Sequence, residues 1–166
     1  INSLKRTGIS KVVMMTGDSE RTAKAVAAQI GVDEYYSEVL PEDKAGFVER
    51  EKAAGRKVIM IGDGINDSPA LSAADVGIAI SDGAEIAREI ADVTIGADNL
   101  YEIVTLKAIS NGLMKRIHKN YRSIILVNAG LIALGVTGMI QPTTSALLHN
   151  TSTLVIGLKS MQNLID

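Results

Sequence analysis

Between Arg122 and Lys159 the chain carries no Asp, Glu, Lys or Arg. A membrane span needs about 20 mostly apolar residues, so this run is long enough for two short spans that turn around Gln141 and Pro142. The alternative for the same run is a hairpin buried in a soluble core; length favours the bilayer. Immediately before it stand Lys115, Arg116, His118, Lys119 and Arg122, a basic cluster that the positive-inside tendency assigns to the cytoplasmic face. The expected location is therefore a membrane, taken to be the plasma membrane, with the preceding residues in the cytoplasm.

Those preceding residues mix charges with short apolar runs, as soluble α/β proteins do. Val12 to Met15 reads as a buried strand that stops at Thr16, Gly17 and Asp18. Ala23, Val26, Ala27 and Ile30 then recur at helical spacing, with Asp18 or Ser19 to cap the start and Gly31 to close the end. Pro41, Glu42 and Asp43 open a second helix, which should stop at Gly55. Val58 to Ile61 is the next buried strand, ending in Gly62, Asp63, Gly64, Ile65, Asn66 and Asp67. Ser68 and Pro69 begin a helix, 76–80 reads as a strand, 84–91 as a helix and 93–95 as a last strand. This alternation implies an α/β fold with a parallel sheet covered on both faces. From Leu100 an amphipathic helix runs through Ile103, Leu106, Ile109, Leu113 and Ile117 as a stalk. The expected division is residues 1–99 as the α/β domain, 100–122 as the stalk and 123–166 as two membrane helices.

In parallel sheets the chemistry sits beyond the carboxyl ends of the strands, where both acidic turns fall. Asp63 and Asp67, four apart in a tight turn, can converge oxygen ligands on a hard cation such as Mg²⁺ that also bridges phosphate. An ordinary solvated turn has the same composition. Thr16 offers a hydroxyl and neighbouring N–H groups to phosphoryl oxygens, or simply a helix-capping turn. Lys44 can offset phosphate charge, or stand as a surface lysine.

Taken together, Thr-Gly-Asp at 16–18, Pro-Glu-Asp-Lys at 41–44 and Gly-Asp-Gly-Ile-Asn-Asp-Ser-Pro-Ala-Leu at 62–71 resemble the haloacid-dehalogenase-like phosphorylation domain of heavy-metal-transporting P-type ATPases. The resemblance covers essentially 4–95. It implies transfer of the γ-phosphoryl of ATP to an aspartate with Mg²⁺ bound. Asp63 and Asp67 would serve the metal, Asn66 the polar network, and Thr16 and Lys44 the phosphoryl group, with Gly17 and Asp18 completing the first motif. The family's phosphorylated aspartate lies in Asp-Lys-Thr-Gly on its first strand, and that tetrapeptide does not occur here. The chain opens with Ile1, and N-terminal sequence is expected to be missing. The partners implied are therefore the actuator domain, the nucleotide-binding domain and earlier membrane helices, besides the lipid bilayer. The chain alone is expected to be inactive.

His149 to Thr153 place five polar side chains in succession inside the last apolar segment, where polar groups are costly and are candidates for function. In the cobalt- and iron-linked branches of the family this region resembles His-Glu-Gly-x-Thr. His149 and Thr153 match, and Asn150 stands where that pattern has glutamate. Imidazole suits divalent first-row metals, whereas Cu(I) prefers sulfur ligands, so the expected cargo is a divalent transition metal. Asn128 could face the same pocket or bond between packed helices.

A net charge of −2 with 3% aromatic residues gives no basic, stacking-rich surface, so nucleic acid is not an expected partner. With no cysteine, disulfides and thiolate sites are excluded from this chain. Two other readings remain at this point: a soluble phosphatase piece of the same superfamily, and a membrane-anchored module without catalysis.

Overall fold

The computed structural model describes residues 1–63, 65–80, 89–96 and 99–163. The chain divides into two compact units, Ile1–Thr105 and Leu106–Asp166. In the first, α1 (Asn2–Arg6), β1 (Val13–Met15), α2 (Glu20–Ile30), β2 (Glu34–Tyr36), α3 (Pro41–Ala53), β3 (Ile59–Gly62), a 3₁₀ turn (Ile65–Asp67), α4 (Ser68–Ala73), β4 (Val76–Ile80) and β5 (Val93–Ile95) follow in order. Gly31 ends α2 in the left-handed conformation (φ 74°), where glycine carries no Cβ penalty. The helix expected over 84–91 lies mostly outside the described residues; Glu89 and Ile90 are helical.

All strand pairs are parallel, but they form two ladders, β1–β2 and β3–β4–β5, rather than the one sheet expected. The reason is local to β1 and β3: each has one ladder partner, and no described strand bridges them. Alternation of strands and helices fixes parallel pairing but not strand order. A shared core still binds them. Met15 of β1 packs on the cluster made by Val48 of α3, Met60 of β3, Ala70 and Leu71 of α4, and Ala79 of β4. Gly77 is needed where β4 passes α4, since a Cβ there would lie 2.8 Å from the Leu71 carbonyl oxygen.

The amino ends of the ladders share a device that periodicity does not reveal. Asp33, Asp75 and Asp92 each stand one residue before a strand, and each carboxylate accepts a backbone N–H of the neighbouring strand region, from Val12, Val58 and Gly77 at 2.8, 2.9 and 2.8 Å. Lys5 adds an ammonium to Asp33, and Lys57 one to Asp75. The Lys5 bond, then the Val12 N–H, holds the Asp33 carboxyl below its ordinary range; the Val58 N–H, then Lys57, does so for Asp75. These carboxylates pin strand register at the end opposite to the acidic turns.

The second unit is helical. It contains most of α5 (Tyr101–Val136), which begins in the first unit, and all of α6 (Pro142–Ser160). Gly138 turns the chain between them with φ 73°. The stalk and the first expected span are one helix: no Gly or Pro stands near Ser123, and a change of composition alone does not break a helix. Among the described residues, no helix is long and apolar enough to cross a membrane. The expected pair of spans is thus a pair of helices of mixed character. Five cations occupy the first part of α5, Asn128 interrupts its charge-free part, and α6 contains the polar run His149 to Thr153.

Candidate functional site

The residues singled out in the first unit lie at the carboxyl ends of β1 and β3 and at the start of α3. Lys44 is in the first turn of α3 and reaches across to Asp67, with Nζ 2.7 Å from Oδ1. Their side chains are 15% and 10% exposed. A buried charge needs such a partner. The approach depends on Gly62: a Cβ there would lie 2.6 Å from Asp67 Cβ and 2.8 Å from Oδ2. Its lack of a side chain lets the Asp67 carboxylate fold back against the end of β3. Sequence reasoning assigned Gly62 to a turn and missed this steric role, which spacing does not signal.

Thr16 follows β1. Its carbonyl accepts from Val39 N at 3.0 Å and its N–H donates to the Tyr36 carbonyl at 3.0 Å, which ties it to the loop that delivers Leu40, the backbone cap of α3. The first motif is thereby joined, through one short loop, to the helix that carries Lys44. The Thr16 hydroxyl donates to Asp18 Oδ2 at 2.8 Å and accepts from Asp18 N at 3.1 Å. It makes a closed local turn but not the expected helix cap: α2 starts after Ser19, and no side chain caps it there. Gly17 has ordinary space, with an added Cβ 3.9 Å from the Val39 carbonyl oxygen.

Asp63 and Asn66 are exposed, and neither side chain has a hydrogen-bond partner among the described residues. Gly64, between Asp63 and Asn66 in the sequence, lies outside the described residues. Ser68, directly after Asp67, has a buried hydroxyl with no partner among the described residues. No group of three or more His, Cys, Asp or Glu that could hold a metal is found among the described residues. Two carboxylates flanking one turn, one of them free, are nevertheless a donor set that suits Mg²⁺. That ion commonly takes one or two carboxylates and fills its remaining positions with water and substrate phosphate.

In the second unit, Asn128 of α5 and His149 of α6 meet: His149 Nδ1–H donates to Asn128 Oδ1 at 2.8 Å. Both line a groove of about 730 Å³ with Leu131, Ile132, Ser145 and Asn150. Thr153 does not join them; its hydroxyl donates to the His149 carbonyl at 3.0 Å within the helix. The helices are held near the other end of α6 by Arg116, whose guanidinium donates to the carbonyls of Ser160, Gln162 and Asn163, and by Asn120 Nδ2, which donates to Ser160 Oγ at 2.5 Å.

Residues 1–75 match the haloacid dehalogenase-like hydrolase family. Over 157 residues, 94% of the chain, the sequence is 40% identical to a manganese-exporting P-type ATPase of Mycobacterium leprae, of which it spans 22%. It is 43% identical over 148 residues, 89% of the chain, to a copper-transporting ATPase of Rhizobium meliloti, of which it spans 18%. The structure of a zinc-transporting PIB-type ATPase in an E2·Pi state superposes on 93% of the chain with a TM-score of 0.83 and 30% identity, the match taking up 25% of that structure. The chain thus spans about a fifth of the length of the curated relatives it matches. The α/β unit has the haloacid dehalogenase-like fold. By these relationships the chain belongs to the heavy-metal-transporting P-type ATPases.

Proposed function

We propose that this chain is the C-terminal segment of an ATP-driven transition-metal pump, supplying half of its phosphoryl-transfer centre and two of its membrane-embedded helices. The observation that carries the reading is the Lys44–Asp67 pair at 2.7 Å, tied through the 37–40 loop to Thr16. Three motifs distant in sequence serve one edge of the fold.

In the whole pump, the γ-phosphorus of ATP forms a bond to an aspartate carboxylate oxygen as its bond to the ADP oxygen breaks. That aspartate would come from an Asp-Lys-Thr-Gly strand outside this chain. The edges of β1 and β3 that pair with no strand among the described residues give such a strand two ladders to join. Little covalent chemistry is asked of this chain; its residues hold and neutralise. Lys44 supplies fixed positive charge and keeps Asp67 in place. Thr16 exchanges its local bonds to Asp18 for phosphoryl oxygens. Asp63 and Asp67 would hold Mg²⁺, which when bound offsets the charge of the transferring phosphoryl oxygens.

The membrane role of α5 and α6 is supported by the relatives and by the exposed apolar surface of both helices. At about 1.5 Å per residue, the 19 residues of α6 extend about 28 Å, close to the thickness of a bilayer core. A polar run lowers the hydropathy of a helix that packs against other helices inside a bilayer, where polar side chains face protein. Such a helix need not read as a lone span. The α/β unit would then lie in the cytoplasm. His149, oriented by Asn128, keeps Nε2 as a lone-pair donor for a passing metal ion, with Thr153 one turn further along α6. The relatives carry manganese, copper and zinc by name, so kinship does not select the ion; the sulfur-free donors favour a divalent one.

The test is complementation. The chain alone, given ATP and Mg²⁺, should form no hydroxylamine-sensitive phosphoenzyme. Co-expression with an upstream segment bearing Asp-Lys-Thr-Gly should restore it, and Lys44→Ala should lower it at least about 100-fold. Phosphate release from ATP by the chain alone, lost in Asp63→Ala, would overturn the reading in favour of a self-sufficient phosphatase.

A further inference from the structure

Lys115, His118, Lys119 and Arg122 recur at helical spacing on one face of α5 and are all exposed. They line a shallow groove of about 670 Å³ whose apolar edges include Met114 and Leu126. At 100° per residue this stripe is centred about 130° around the helix from Arg116 and Asn120, the side chains that hold α6. Two classes of cation thus share the same turns of one helix. Arg116 spends its guanidinium on three carbonyls, whereas the side chains of Lys115, Lys119 and Arg122 have no hydrogen-bond or ion-pair partner among the described residues.

The counter-charge is not available nearby in the sequence. From Ile103 to Ile165 there is no Asp or Glu. A stripe of three cations without a carboxylate among the described residues of its own unit draws its anion from elsewhere. The stripe also ends at a particular place: Arg122 is the last charge before the charge-free segment, and beyond it the groove is lined by Ser123 and then Leu126. A ligand fitting this surface carries an anionic group at one end and hydrocarbon at the other.

We propose that this face of α5 seats an anionic phospholipid, with its headgroup phosphate on Lys115, Lys119 and Arg122 and the start of an acyl chain along Leu126. The proposal rests on the reading that residues beyond Arg122 lie in a bilayer. Basic side chains at a membrane surface attract anionic lipid by about 1 kcal/mol each, which corresponds to roughly fivefold in local concentration. Lipid at this position would fix the depth of α5.

The full chain is reconstituted into vesicles of phosphatidylcholine with a minority of phosphatidylglycerol, floated under alkaline carbonate, then extracted into mild detergent for mass spectrometry of the lipids that remain bound. Wild type should float, and its retained lipid should be enriched in phosphatidylglycerol about fivefold or more over the vesicle. Lys115→Gln/Lys119→Gln/Arg122→Gln should float equally well with that enrichment gone, and Lys115→Arg/Lys119→Arg should keep it. Flotation with no enrichment, or with enrichment unchanged in the triple variant, overturns the lipid seat and leaves the membrane reading standing. Failure of every form to float overturns the membrane reading and the seat with it. Enrichment abolished by inorganic phosphate at constant ionic strength would assign the stripe to a free anion and overturn the seat.

Discussion

The two units treat apolar side chains in opposite ways. Every buried residue among those described lies in Ile1–Thr105, from Ala23 to Ile103, and the largest fully buried side chains are Leu71, Ile78 and Val48. In Leu106–Asp166, by contrast, Leu126 is 70% exposed and Val136 84%. The first unit builds a core from its own chain, because its apolar positions alternate with charges that can face water. The second has no charged face to turn outward from Ser123 to Leu158, and two helices cannot cover each other. Contiguous exposed hydrocarbon on that scale marks a surface meant for protein or lipid. What differs is whether a unit covers its apolar surface with its own chain.

The largest effect should come from breaking the charge pair in the self-sufficient unit. Asp67→Ala leaves the part-buried Lys44 without its partner, and the about 3–5 kcal/mol cost of removing one member of a fully buried pair is the ceiling for this change. Calorimetry of the full chain in micelles should show a lower Tm for the α/β transition, with the helical signal of the second unit unmoved. Equal loss in both units would break the contrast. Gly62→Ala is the sterically defined counterpart. Its Cβ would overlap Asp67, and relief by displacement costs about 1–3 kcal/mol as overpacking does. In the complemented pump this substitution should also lower phosphoenzyme, although it removes no polar group.

Acid should separate the units further. Asp33 and Asp75 have folded-state pKa values below their ordinary range, so their stabilisation is present above that range and is lost as pH falls through the lower folded values. The Tm of the α/β unit should therefore drop below about pH 4, the ordinary aspartate region. Unit Leu106–Asp166 has no carboxylate side chain except Asp166, and its helicity should hold across the same titration. Loss of helicity there in step with the α/β unit would show that the second unit depends on the first.

Sequence pattern reached the first unit well because its signals are local. The apolar run before Thr16, the spacing from Ala23 to Ile30, Pro41 at a helix start and the alternation of strands with helices are each set by neighbouring residues. Strand β2 escaped because it is only three residues long and Tyr36 stands on its exposed side, so the sequence shows no polar–apolar alternation there. The division into two ladders escaped because strand order is a property of the whole sheet. For the site, the long motif at 62–71 drew Asp67 and Lys44 together by resemblance, and no spacing rule could have paired residues 23 apart. At 16–19 the turn residues were legible, but the cap expected from Asp18 or Ser19 is not made, because Asp18 bonds back to Thr16 instead. In the second unit, composition marked where charges cease, but the backbone of α5 continues through that point because nothing there ends a helix.

The Asn128–His149 contact sharpens what the second unit does with its polar groups. Asn128→Ala should cost only about 0.6 kcal/mol in bilayer stability, the usual size of an interhelical hydrogen bond. If, as proposed, Asn128 fixes the tautomer of His149 that leaves Nε2 to a metal ion, metal-stimulated phosphorylation of the complemented pump should fall about 10-fold or more while basal stability barely changes. Equal, small changes in both quantities would leave the pair as packing alone.

The smallest effect belongs to Glu38, the one described non-glycine residue with positive φ, at 53°. It lies in the loop that joins Thr16 to α3, where its N–H donates to the Asp18 carbonyl at 2.9 Å. An L-residue held in this region costs about 1–2 kcal/mol. Glycine there removes that strain but enlarges the unfolded ensemble, at about 0.4–1 kcal/mol. Glu38→Gly should therefore stabilise the α/β unit by about 0–1.6 kcal/mol, with its Asp18 bond retained, since the donor is backbone. The second unit should not respond. Destabilisation instead would mean that the Glu38 side chain contributes through contacts that outweigh the strain, and the loop between Thr16 and Lys44 would then be held by more than its backbone.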